Sequence, residues 1–306
     1  MYCLYRAVKK EEWKQDIQSV VYCVKEEGMM NSFELLPSEE NLIETLERDL
    51  LKRNKSLGHF YNILLSQKRA ASSAIDGRWG SGKTFFVKQA MLMINAKNSV
   101  STMEVDKRKR IVNALSFLEG ESADLGNSEV AVYYDAWKND SDIDPILSLV
   151  YEIVKQLGIE YTFEDNSKIF KLAGSILEII TGKNINGIIE NLKSLDPLAK
   201  IREERDLQDK IRYFFSELLK ERGNRLVVFI DELDRCNSSY AVQVLETTKH
   251  YLCDDRITFI FSVNLEELQH TIKCYYGTTF DPRRYLDRFF DMWISLPPAD
   301  KSVLYQ

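Results

Sequence analysis

The sequence has no run of about 18 uninterrupted apolar residues, the length that a membrane-crossing helix needs. Its nearest approach, IFKLAGSILEII at 169–180, is too short and carries Lys171 and Glu178, so no transmembrane segment is expected. Cysteines are few and scattered: Cys3, Cys23, Cys236, Cys253 and Cys274 make no C-x-x-C pair. That argues against a zinc site or a disulfide framework and for reduced thiols in a cytoplasmic protein. The three histidines, His59, His250 and His270, form no ligand cluster. A basic excess is missing too. With a net charge of −6, nucleic acid is not an expected partner. The one basic run, at 107–110 (KRKR), reads as the solvated face of a surface insert. Residues 9–14 (KKEEWK) are charged and no secretory apolar core follows. No internal repeat stands out.

What is present is the composition of a folded protein, 44% hydrophobic and 29% charged over 306 residues, long enough for one large domain or two ordinary ones. Pro37 followed by Ser38, Glu39 and Glu40 predicts a helix start, with a capping hydroxyl and acids at the positive end. Leu42, Ile43, Leu46 and Leu50 then recur at helical spacing, and a second helical stretch runs through Leu57, Phe60, Tyr61 and Leu64. From about residue 71 the pattern changes. SSAID (72–76), VAVYYD (130–135), RLVVFID (225–231) and ITFIFSV (257–263) read as strands, the last three as continuous apolar runs. Helices are expected between them at 83–96, 143–157, about 206–222, 239–252 and 265–275. Apolar runs alternating with helices imply a parallel sheet covered on both faces. Two polar stretches, 98–129 and 158–205, break the alternation and are expected to be insertions holding helices of their own.

The strand–helix junction at 77–84 reads GRWGSGKT. Gly77, four residues, then Gly82-Lys83-Thr84 is the phosphate-loop spacing. Glycines let successive amides turn inward around phosphate oxygens, and the following helix adds its positive end. Gly77, Arg78, Trp79, Gly80, Ser81, Gly82, Lys83 and Thr84 are therefore candidate nucleotide-binding residues. Lys83 would reach the β- and γ-phosphates, and the Thr84 hydroxyl would ligate Mg2+. An acid must hold the metal from another strand. Asp231 ends the most hydrophobic strand at its carboxyl end, where open α/β sheets bind ligands. Glu232 follows it and is the candidate for polarising an attacking water. Asp234 and Arg235 read as a local ion pair. Asn264, at the tip of the next strand, is a candidate for contact with the γ-phosphate or the water, and equally for capping the helix after it. Arg283, Arg284 and Arg288 are candidates for reaching the γ-phosphate, in cis or from a second subunit. A guanine-reading N-K-x-D is absent, since Asn54-Lys55 continues as Ser56-Leu57, which favours ATP over GTP. The fold class expected is thus α/β: a P-loop NTPase three-layer sandwich with a mainly parallel sheet. A helical N-terminal extension (1–65) precedes an NTPase domain (66–306) carrying the two helical insertions.

DGRWGSGKT, YYDAWKND with Trp137, VVFIDELDRC, FSVNLEEL and YLDRFFDMWISLP together resemble the KAP-type P-loop NTPases over about residues 66–298. The resemblance implies an ATPase of the additional-strand, catalytic-glutamate kind, acting as a switch or scaffold and not as a metabolic enzyme, and a protein partner or homo-oligomer is expected. It implies triphosphate binding by Gly77, Gly82, Lys83 and Thr84, a Mg2+ role for Asp231 and a hydrolytic role for Glu232. Arg288 falls where relatives often have a basic residue. Many relatives carry transmembrane helices between the two nucleotide motifs, where this chain is polar. Asp135 stands where relatives usually have Asn, and relatives often continue beyond the ISLPP region. Bacterial members without membrane spans are often tied to defence against phage, and a role in bacterial signalling or phage defence is the expectation. Two other readings remain: an ATP-binding scaffold that does not hydrolyse, and a small-molecule kinase, against which the large insertions argue.

Overall fold

The computed structural model describes residues 36–67, 69, 71–118, 129–142, 144–157, 175–176, 199–250, 254–297 and 299, all within the unit Leu35–Gln306. Five strands form one parallel sheet: β1 Ser72–Asp76, β2 Glu129–Asp135, β3 Arg225–Asp231, β4 Ile257–Val263 and β5 Met292–Ser295, in the order β2-β3-β4-β1-β5. Asp231 pairs in register with Asp135 on one side and Ser262 on the other, and Asp76 with Val263. The polar ends of these strands therefore collect at a single carboxyl edge.

The sheet's side chains divide by period two into two cores. Val132 and Tyr134 of β2, Val228 and Ile230 of β3 and Phe259 and Phe261 of β4 face one core. Ala131, Val227, Phe229 and Ile260 face the other. Because both faces are covered, the strands read as unbroken apolar runs and not as alternating ones. The second core is closed by α1 (Glu39–Arg48), α2 (Asn54–Ser66), α3 (Lys83–Lys97) and α4 (Val105–Ala114). The first is closed by α5 (Pro145–Gln156), α6 (Ala199–Arg222), α7 (Ser238–His250), α8 (Leu265–Tyr276) and α9 (Pro282–Leu286). The result is the three-layer α/β sandwich expected. Among the described residues no helix is long and apolar enough to cross a membrane.

Helix starts follow local chemistry. The Ser38 hydroxyl accepts from the Asn41 amide at the head of α1. Asp144 caps α5 through the amides of Ile146 and Leu147, with Pro145 in the first turn, where its missing N–H costs nothing. Boundaries agree with the sequence reading to within a few residues, with two departures. α6 begins at Ala199 and not near 206, and β5 is a strand that the sequence pattern does not predict. The insertion at 98–129 does hold a helix, α4, whose basic run is not a free face. Lys107 pairs with Glu39, and Arg110 pairs with both Glu40 and Glu47, so α4 is bound to α1. The insertion at 158–205 lies mostly outside the described residues.

Candidate functional site

β1 ends at Asp76, and the chain turns through Gly77–Gly82 into α3. The Gly77 amide donates to Val263 O (3.1 Å), anchoring the turn to β4. A side-chain carbon at Gly77 would stand 2.7 Å from Ser81 Oγ and 3.3 Å from Lys83 Cγ, so a larger residue would have to displace the side chains that fold over the loop. Gly82 has φ +83°, in the left-handed region that side chains disfavour. Lys83 is only 8% exposed. Its ammonium donates to Gly77 O at 2.7 Å and Arg78 O at 3.4 Å, and so lies inside the turn. Ser81 Oγ is buried with no hydrogen-bond partner, an acceptor-seeking hydroxyl in the cradle. Thr84 sits half-buried in the first turn of α3, and Arg78, Trp79 and Gly80 are exposed.

One strand, β4, separates β1 from β3, placing Asp231 two strand spacings, about 10 Å, from the loop strand. Asp231 is fully buried. Its Oδ1 accepts from the Glu232 amide (3.0 Å) and its Oδ2 from the Tyr133 hydroxyl (3.0 Å). Glu232 has φ +61°, an uncommon conformation for a non-glycine residue. Burial pushes its carboxyl above the usual range, and the Asp231 charge adds to this. The charges of Arg235 and, more weakly, Lys83 oppose it, while Asp234 reinforces it. Burial also drives the Tyr133 hydroxyl up, with Asp231 and Asp135 adding to the effect, so Tyr133 stays a proton donor to the aspartate.

Asp234 and Arg235 do not pair with each other. Asp234 Oδ2 accepts from Trp79 Nε1 at 2.7 Å, tying the loop to the exit of β3. Arg235 forms an ion pair with Glu232, and its guanidinium lies 5.6 Å from the Trp79 ring and 5.3 Å from the Trp137 ring. Both indoles are half-exposed, at 52% and 51%. Asn264 leads into α8 without a side-chain capping bond. The amide of Leu265 is capped instead by Asp76 Oδ1 (2.9 Å), which leaves the Asn264 side chain at the carboxyl edge.

Arg288 is not brought to this edge. β5 runs parallel to β1, and the amide of Asp291 donates to Ser72 O (2.7 Å). Residues 288–291 therefore lie at the sheet's amino end, where Lys249 donates to the Arg288 carbonyl. Arg283 lies against Trp293 and pairs with Asp287.

One residue at the loop has no signal in the sequence. Arg53, just before α2 and 2% exposed, sends Nη2 to Ser81 O (2.8 Å) and to Pro297 O, and Nη1 to Gly82 O (3.3 Å). Nothing in LLKRNKS distinguishes it from its basic neighbours.

No group of three or more His, Cys, Asp or Glu side chains among the described residues could hold a metal alone. A family model described as the KAP family P-loop domain matches residues 53–306. A search of curated proteins finds no match. The solved structure of C. elegans PCH-2 aligns at 13% identity and a TM-score of 0.31 over 89% of this chain and 47% of that one. This chain thus spans about half the length of that protein, and a likeness so distant carries no argument.

Proposed function

The chain belongs to the KAP family of P-loop domains, and on that premise we propose that it binds ATP with Mg2+ and hydrolyses the terminal phosphate. The observation that carries this reading is the meeting of two elements at one sheet edge. Lys83 lies buried in a glycine turn, and the Asp231–Glu232 pair is joined to that turn through Trp79 and Asp234. Loop amides and the positive end of α3 bind the phosphates. Lys83 exchanges its two carbonyl partners for β- and γ-phosphate oxygens. The orphaned Ser81 Oγ and the half-buried Thr84 fit a Mg2+–nucleotide site. Thr84 and Asp231 would hold the metal, each Asp231 oxygen keeping a lone pair beyond the single bond it accepts. Bound Mg2+ supplies charge neutralisation at the phosphates.

Glu232 takes the proton of the attacking water, a role favoured by its desolvated, upward-shifted carboxyl. Asn264 steadies the water or the γ-phosphate from the tip of β4. The interposed strand β4 supports assignment to the additional-strand, catalytic-glutamate division. Since Arg288 sits at the far end of the sheet, its proposed contribution comes from a second copy. Turnover then drives a conformational or assembly switch, in the cytoplasm. The division into an extension (1–65) and an NTPase domain (66–306) goes with this reading.

The test is Mg2+-dependent phosphate release. Lys83→Ala is expected to abolish it while the fold is kept, and folded wild-type protein that neither binds nor hydrolyses ATP would defeat the proposal. The pairing of Glu232 with Arg235 favours a second reading, in which ATP is held and not cleaved.

A further inference from the structure

We propose that Arg53 is a positioning residue for the phosphate loop, holding its peptide groups in the orientation that nucleotide binding needs. The inference rests on the ATP-binding reading above and assigns a part of that site supplied from outside the loop motif.

In a planar trans peptide a carbonyl and the following N–H point in opposite directions. The Ser81 carbonyl accepts from Arg53 Nη2 at 2.8 Å on the outer side of the turn. The N–H of Gly82 must then point the other way, into the cradle. The Gly82 carbonyl accepts from Arg53 Nη1 at 3.3 Å and also from the Phe86 amide at 3.1 Å, so α3 already orients that second peptide. Ser81–Gly82 is different: its carbonyl lies before the helix and takes its direction from Arg53. Gly82 has φ +83°, and a chain this free to turn needs an external restraint to keep one amide direction. The guanidinium suits the task, because its rigid fork of donors can serve several carbonyls at once.

Two further observations fit a dedicated role. Burying a guanidinium is costly unless its donors are satisfied, yet Arg53 is 2% exposed and no carboxylate pairs with it among its hydrogen-bond partners. Those partners are backbone carbonyls, two of them in the loop. A side-chain carbon at Gly82 would also stand 3.0 Å from Nη1, so the guanidinium and the left-handed glycine fit together. Burial lowers the Arg53 pKa to about 10, and the group remains cationic at neutral pH behind a loop that receives anions. The third carbonyl, that of Pro297, belongs to the chain leaving β5. It shares Nη2 with Ser81, so the loop and that segment hang on one side chain.

The experiment compares wild type with Arg53→Met, Arg53→Lys and Arg53→Ala. The measurements are equilibrium binding of ATP with Mg2+, KM and kcat for phosphate release, and thermal unfolding, all read well below the transition. Arg53→Met is expected to raise Kd and KM for ATP about 10- to 100-fold, the range for losing hydrogen bonds from a charged donor, with kcat changed much less. Arg53→Lys should recover part of the affinity. Added guanidinium below denaturing concentration should restore ATP binding to Arg53→Ala but leave Lys83→Ala unrescued. Should Arg53→Met fail to fold, Arg53→Lys and the rescued alanine variant carry the test. Wild-type ATP affinity in a folded Arg53→Met, even with a lowered Tm, overturns this inference and leaves the ATPase reading standing. Absence of ATP binding by wild type overturns both.

Discussion

Glu232→Gln separates chemistry from folding and binding at the site. The substitution keeps size and shape, and glutamine meets the same backbone demand at φ +61°, so the strain of that position is unchanged. What changes is the charge. A positioned general base contributes about 10²–10⁴-fold to rate, which at ~1.36 kcal/mol per decade is about 3–5 kcal/mol of barrier. Phosphate release with saturating ATP and Mg2+ is therefore expected to fall by two to four orders of magnitude. Stability should move the other way. The folded carboxyl lies above its ordinary value because burial and Asp231 disfavour the ionised form. At neutral pH that ionised form is a net cost to the fold, and a neutral amide removes it. Loss of the Arg235 ion pair offsets this only weakly, as Arg235 is partly exposed and still lies between two indoles. The assay has three parts: phosphate release, equilibrium ATP binding and thermal unfolding. The expected result is a protein that binds ATP at least as well as wild type, melts no lower and scarcely turns over. Turnover indistinguishable from wild type would refute the reasoning and leave the scaffold reading.

Two other outcomes follow from the same geometry. Tyr133→Phe removes the donor to the fully buried Asp231 Oδ2, so unfolding free energy in denaturant should drop by about 1.5–3 kcal/mol and half-maximal turnover should need more Mg2+. An unchanged denaturation midpoint would count against the role given to Tyr133. At the entrance to β4, the Arg256 side chain grips both oxygens of Asp254 at 2.9 and 2.8 Å and lowers its pKa beneath 3.8. The stability from this pair is present above pH 3.8 and is lost as pH falls through the lower folded value. The stability difference between wild type and Asp254→Asn should therefore shrink over that acid interval, and a pH-independent difference would refute the assignment.

The carboxyl edge was legible where local chemistry repeats a spacing or a period. GRWGSGKT announces a turn because glycines and a lysine have few other reasons to stand at a strand–helix junction. Asp231 was legible because a carboxylate ends an apolar strand. Cross-chain relations were not. Arg53 reaches carbonyls 28 and 29 residues away, and neither its own identity nor its neighbours encode that reach. Tyr133 looks like any strand aromatic until the register places β2 beside β3. The proposed Asp234–Arg235 pair failed because adjacent side chains diverge, and the partners across the turn, Trp79 and Glu232, were better placed. Asn264 as a cap lost to Asp76, which approaches from a neighbouring strand. β5 has no sequence signature because four residues are too few to display a period.

The indole–guanidinium stack gives the protein an optical reporter of its own. Of the tryptophans in the chain, Trp79 and Trp137 stand half in water around one arginine, whereas Trp293 packs beside Phe290. Emission from the first two responds to dehydration and to the charge between the rings, so a ligand entering the cradle changes colour and intensity without any dye. Replacing either ring with phenylalanine assigns the signal, and stopped-flow mixing then times arrival and departure separately from cleavage.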